Sequence, residues 1–489
     1  MSSNKRTLCT HLLVLALGWC LLSGPLAAQE APLGTVDLPP SPILVNLVKA
    51  TVRIVVDDTR EPELRWWRER QDGTGSAELS VSHGEGSIII ERPASAEGEA
   101  VARLLVEIAI PAGQSMAVFG TGLDLTIERQ LVEEPEESDP NAPPVAPTTP
   151  TTTEIQLVDS QATLSGTGRV TGTIDGSVVE LHQTTGVHEL TILDGELWIY
   201  SHRGQAILTA QGSEIMAEQT TGLFSVQATG GSVDLRSTRG TFKINARDAQ
   251  IQVLDSRGPG IVSLTDSNLN LRGSNLQSLN LKGLSSHATM SNCDSTTTVD
   301  FTGGSLISDG GSGTLTTTAR DTARIEFANH RGNIKLNLQQ GSSADLREIR
   351  GDVNVTTLGG ELTIDGASSL TLAANQAYAT LSAISKLTSF QVTDSEIDLD
   401  LSDCRDRNPA LSVRANSNVR VRLATPCRVQ AKGVDASLAS QIDVTGCELQ
   451  LGRGGRWATR RVRGIDGQRI VTLTAQVAES AELRVEGRP

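Results

Sequence analysis

Broken every eighteen residues, the stretch Gly204–Arg257 reads GQAILTAQGSEIMAEQTT, GLFSVQATGGSVDLRSTR, GTFKINARDAQIQVLDSR. Set one under another, the three lines put glycine under glycine at Gly204, Gly222 and Gly240. They also put apolar under apolar. Leu208/Ala210, Val226/Ala228 and Ile244/Ala246 form one column, and Ile215/Ala217, Val233/Leu235 and Ile251/Val253 another. The members of each pair are two residues apart, the side-chain period of a strand, so every line holds two short strands with one face turned inward. Gly230-Gly231 and Asp248 fall where the chain must turn between them. One line cannot bury its own apolar pairs. Stacked lines put like on like and share a continuous core, which is the logic of a solenoid.

The phase runs outward in both directions. Gly168 and Gly186 precede the stretch and Gly258 follows it, with Val179/Leu181, Leu197/Ile199 and Leu269/Leu271 in one column and Ile174, Leu190/Ile192 and Val262/Leu264 in the other. Beyond Leu271 the period loosens: Arg331-Gly332-Asn333-Ile334 and Arg350-Gly351-Asp352-Val353 are nineteen apart, and Ile397/Leu399/Leu401, Val419/Val421/Leu423 and Ile442/Val444 step by twenty-two and twenty-one. The fold class expected is all-β: a single-stranded parallel β-helix of 18–22-residue rungs, right-handed, over residues 155–489 with a C-terminal cap. Between Gly168 and Leu451 about fifteen rungs, each about 4.8 Å, make a rod about 70 Å long. The tail, with Ile470–Leu473 and Leu483–Val485, is expected to close the far end.

Three segments depart from this register. Residues 43–131 carry longer strands divided by charged loops and read as a β-rich N-terminal unit capping the first open end, where bare strand edges would invite aggregation. Residues 132–154, VEEPEESDPNAPPVAPTTPTTTE, offer nothing to pack and read as a disordered or extended insert, either a linker or a loop between two rungs. Residues 1–28 combine Lys5 and Arg6 with an apolar run from Leu12 to Leu22 and end on Ala27-Ala28, the pattern of a cleaved secretory signal. Its removal takes the formal charge from −15 to −17 and leaves Cys293, Cys404, Cys427 and Cys447. An exported chain follows, periplasmic, surface-held or secreted, with no later stretch apolar enough to span a bilayer. Its acidity argues against a nucleic-acid partner.

Val106-Glu-Ile-Ala-Ile-Pro-Ala-Gly113 and Gly351–Gly366, GDVNVTTLGGELTIDG, add a resemblance. They are similar to the Val-Pro-x-Gly strand end and the Gly-Asp-Val-x-Val-x-Thr rungs of the bacterial adhesin-head-like family, parallel β-helix domains of cell-envelope proteins. Ile110 stands where the family has valine, and the similarity covers residues 45–400 apart from the Pro/Thr insert, which that pattern lacks. The resemblance implies a β-helix and, more loosely, adhesion.

Few residues suggest chemistry. Asp394, Glu396, Asp398 and Asp400 alternate with Ile397, Leu399 and Leu401, so all four are expected to point out of one strand, as the acids of a polysaccharide-processing β-helix enzyme would. Arg420 and Arg422 lie one rung on, and cross-strand ion pairs are the simpler reading. The turns are too short to wall a cleft, so no catalytic residue is assigned. His182, His188 and His202 lie close in sequence, but His188 shares the phase of Val170, Ala206, Phe224 and Phe242 and reads as core, so no metal or cofactor is assigned. Cys404, Cys427 and Cys447 are about one rung apart, close enough for a disulfide between two of the three. Arg453, Arg456, Arg460, Arg461 and Arg463 surround Trp457 in an acidic protein, either as a solvated cap or as a patch for an anionic envelope polysaccharide or another envelope protein. The functional expectation is a non-catalytic exported protein presenting a long repetitive surface. The alternatives are a polysaccharide lyase or hydrolase and a structural spacer or filament; oligomeric state is left open.

Overall fold

The computed structural model describes residues 32–39, 41–57, 61–69, 78–84, 87–92, 103–129, 151–405, 408–424, 427–433, 442–445, 447–453, 456–460, 471–477 and 480–488. The segment 1–28, expected to be a signal, lies outside them, as does 132–150 of the insert. Every element is a β-strand, and nearly all pairings are parallel between chain segments about one repeat apart. Arg203–Gln211 pairs with Thr221–Thr229 so that Leu208 meets Val226 and Ala210 meets Ala228. Glu214–Glu218 pairs with Ser232–Arg236 so that Ile215 meets Val233 and Ala217 meets Leu235. The columns read from the sequence are therefore the hydrogen-bonded registers. Their members are buried in one continuous apolar cluster. The expected β-solenoid is the fold.

Each eighteen-residue rung turns at two left-handed corners and one glycine bend. Gly212, Gly230 and Asp248 hold positive φ at one corner, and Gln219, Ser237 and Asp255 at the other. The residue after the first corner is small and buried, as at Ser160, Ser177, Ser213 and Ser267. The corner rotates a carbonyl out of the inter-rung ladder, and a serine hydroxyl replaces it. Ser160 N–H donates to Ser177 Oγ at 2.9 Å, and Ser177 Oγ donates in turn to Asp175 O at 2.8 Å. Ser267 N–H repeats the contact with Ser286 Oγ at 3.2 Å. The bend is glycine for want of space: a Cβ on Gly204 would lie 1.9 Å from Gly186 O, and one on Gly222 would lie 2.0 Å from Gly204 O. The same crowding recurs at Gly332 and Gly351, so the spine persists where the period loosens.

The two ends correct the sequence reading. Ile43–Val48 pairs on one side with Ser87–Glu91 and on the other with Met116–Thr121. Ala50–Val56 likewise lies between Leu104–Ile110 and Asp124–Arg129. Met116–Thr121 and Asp124–Arg129 then pair with Thr153–Val158 and Gln161–Ser165. Residues 43–131 thus supply rungs of the solenoid itself, the first pair in sequence being second in the stack. The period is hidden there because neighbouring rungs are not neighbours in the chain. The end is covered by antiparallel strands, two of them from this same unit: Glu63–Arg68 on Leu104–Ile110 and Ser80–Gly84 on Ser87–Glu91, with Gly34–Asp37 on Glu63–Arg68. Thr153 and Glu154, grouped with the insert by composition, already belong to a strand. The insert joins two stacked rungs.

The far end mirrors this. Val471–Val477 lies between Ala410–Arg414 and Cys427–Gly433, and Glu482–Arg488 between Asn418–Ala424 and Ile442–Thr445. The tail is an inserted rung, not the terminal cover. Glu448–Arg453 follows Cys427–Gly433 in parallel, and Arg456–Arg460 folds back on it antiparallel.

Candidate functional surface

On the acidic strand, Asp398 is ion-paired across rungs. Glu396–Leu401 pairs with Asn418–Ala424 so that Asp398 faces Arg420 and Asp400 faces Arg422, one rung on as expected. The contacts run diagonally: Arg422 reaches Asp398 at 2.9 Å, and Arg420 reaches Glu486 on the inserted rung at 2.7 Å. Arg420 faces Arg484 in register on that rung, so moving across to Glu486 exchanges repulsion for attraction. Asp394 does not share this face. It occupies the left-handed corner before the strand, where its carboxylate accepts from the Asn416 side chain at 3.1 Å.

The three histidines fall on opposite sides of the wall. His182 is outside, stacked on Tyr200 with centroids 4.9 Å apart and 3.0 Å from Glu180. His188 and His202 are inside and fully buried. Val170 N–H donates to His188 Nδ1 at 3.3 Å, which makes that nitrogen an acceptor and leaves the proton on Nε2. His188 Nε2 then donates to Thr184 Oγ1 at 2.7 Å, and Thr184 donates to His202 Nδ1 at 3.0 Å. His202 Nε2 is buried with no hydrogen-bond partner. Burial first, and then the neighbouring His202, lower the His188 pKa to about 3; burial lowers that of His202 as well. Both rings are neutral core residues, joined through one hydroxyl.

Of the three candidate cysteines, Cys427 and Cys447 form the disulfide, with Cα atoms 4.9 Å apart on adjacent rungs. Cys404 keeps its thiol, which lies 3.6 Å from Ser385 O. The inserted tail rung separates its rung from that of Cys427, and two rung spacings, about 9.6 Å, exceed disulfide reach. Of the arginine cluster, Arg453, Arg456 and Arg460 lie on the antiparallel pair at the far end, with Arg453 opposite Arg456. Arg461 and Arg463 lie outside the described residues. A shallow groove of about 450 Å³ at the other end is lined by Asp37, Glu61, Glu63, Arg65, Glu107 and Ala109.

One cluster was not singled out from the sequence. On the outer face of three successive rungs, the registers place Val178, Glu180 and His182 beside Glu196, Trp198 and Tyr200, and those beside Glu214, Met216 and Glu218. Trp198 stands at the centre, half-buried, with Glu180 and Met216 above and below it and Glu196 and Tyr200 along its own strand. Burial, followed by the carboxylates of Glu180 and Glu218, raises the Tyr200 pKa. The available signal was the eighteen-residue spacing of outward residues, whereas attention to the core columns leads past them. Aromatic residues are only 3% of the chain, yet the fold places Trp198 and Tyr200 on one face.

Comparison with known proteins returns no matching family model, no matching curated relative and no matching solved structure.

Proposed function

We propose that this chain is a non-catalytic, exported β-solenoid whose laddered outer faces associate with cell-envelope polymer. The observation that supports it best is the shape of those faces: strands joined by corners of one or two residues, with Asp398 of Glu396–Leu401 engaged by Arg422 from the neighbouring rung. A β-helix that cleaves polysaccharide needs walls beside its acids to orient substrate and exclude water. The resemblance to adhesin-head-like domains points the same way. End-to-end stacking into a filament is less well supported, because antiparallel strands lie across the outermost rung pairs.

The test is co-sedimentation of the protein with purified envelope polymer, paired with assays for new reducing ends and unsaturated uronates. Retention on polymer without product supports the reading. Product formation that disappears in Asp398→Asn replaces it with the lyase or hydrolase alternative.

A further inference from the structure

We propose that the outer face centred on Trp198 is a binding surface for an amino-polysaccharide, a linear sugar polymer carrying primary ammonium groups; this deepens the polymer-binding reading and rests on it. The first support is electrostatic. Glu196 and Glu214 face each other in register on adjacent rungs, and like charges so placed are destabilising. Several other charges of the outer rows are compensated by a partner. Asp234 is held by Arg236 at 2.6 Å, Arg422 by Asp398, and Arg428 by Glu448 at 2.9 Å. Around Trp198, Glu196 and Glu214 have no ion pair among the described residues and Glu180 meets His182, while Glu218, at the edge of the patch, faces Arg236 in register and feels its charge. A row left acidic over three rungs is complementary to a cation.

The second support is the apolar centre. Trp198 and Met216 are in register on neighbouring rungs, with Val178 on the rung before, so a half-exposed indole and thioether sit among the carboxylates. Indole attracts an ammonium electrostatically and also packs against the C–H face of a pyranose. Glucosamine units present both: an apolar ring face and an ammonium at its rim. The flat strand face cannot enclose a small amine, whereas a polymer laid across the rungs gathers many weak contacts. His182 and Tyr200, stacked on each other, border one side of the patch.

The experiment is calorimetric titration of the full chain with a β-1,4-linked glucosamine hexamer, its fully N-acetylated counterpart, and hexalysine. The expected order is the glucosamine hexamer first, with salt-sensitive binding, and the other two at least about tenfold weaker. Trp198→Ala should weaken the hexamer about tenfold. Glu196→Gln/Glu214→Gln should also weaken it while raising the melting temperature of the unliganded protein, because the like-charge contact is removed. Equal or tighter binding of hexalysine overturns the sugar assignment in favour of a basic peptide. Unchanged affinity in both variants, or no hexamer binding by a protein that still sediments with envelope polymer, overturns the site and leaves the broader reading standing.

Discussion

At the residue scale, the interior tolerates polar atoms only where a partner is built for them. His188 is neutral because its ring occupies a core column and Val170 N–H already uses Nδ1. Its folded pKa, about 3, is below the 6.5 of an unfolded histidine, so the unfolded chain binds more protons between those values. The contribution of His188 to stability is therefore present above pH 6.5 and is lost as pH falls toward 3, on the order of 4–5 kcal/mol over the full span. His188→Val, which matches Val170 on the neighbouring rung, should flatten the dependence of melting temperature on pH in that window; an unchanged slope would refute the assignment. Leu235→Asp is a harsher probe. Leu235 is buried between Ala217 and Val253, and a charge there loses its hydration without a partner, costing several kcal/mol. Gln227→Ala on the exposed row should leave the melt unchanged.

At the element scale, strand and corner are coupled by the serine ladder. Ser267 Oγ accepts from Ala249 N–H at 3.2 Å and donates to Thr265 O at 2.7 Å. Ser267→Ala leaves that buried N–H without an acceptor, and urea melts should show a loss of about 1–3 kcal/mol. A loss below about 0.5 kcal/mol would mean that the corner is held by packing alone. The strands, their inward faces and the glycine bends were legible because alternation and an eighteen-residue spacing are local properties of the chain. The ladder was not read, although its serines recur in the sequence, because its purpose depends on a carbonyl that only the folded corner turns away. The ion pairs were legible as neighbours, Asp398 with Arg420, but not as contacts, since the choice of diagonal depends on Arg484 and Glu486 from the inserted tail.

At the scale of the whole molecule, an exchange of rung order lies just inside each end, beneath the antiparallel strands. Ending the chain at residue 470 would remove the rung between Ala410–Ala424 and Cys427–Thr445 and bare strand edges on both sides. Such a protein should elute as aggregates in size-exclusion chromatography. A monomer with the melting temperature of the full chain would show that the inserted rung is dispensable. Non-reducing peptide mapping should recover Cys427 cross-linked to Cys447, with Cys404 and Cys293 alkylated after denaturation. A Cys404–Cys427 link would require those rungs to touch and would refute the inserted order.

The sequence by itself determined the β-solenoid, its glycine spine and its core columns, because each follows from a side-chain period that a short window of residues carries. Tertiary structure alone decided which rungs became neighbours at the two ends. From that came the pairing of Cys427 with Cys447, the exclusion of Cys404 and the diagonal reach of Arg420. The physical reason is that a link as short as those from Ile110 to Met116 and from Ala424 to Cys427 can step past one rung position, and a parallel strand edge accepts any matching strand there whatever its distance along the sequence. The face around Trp198 lies between these cases: its spacing was written in the chain, but only stacking brought the ring and the uncompensated carboxylates together.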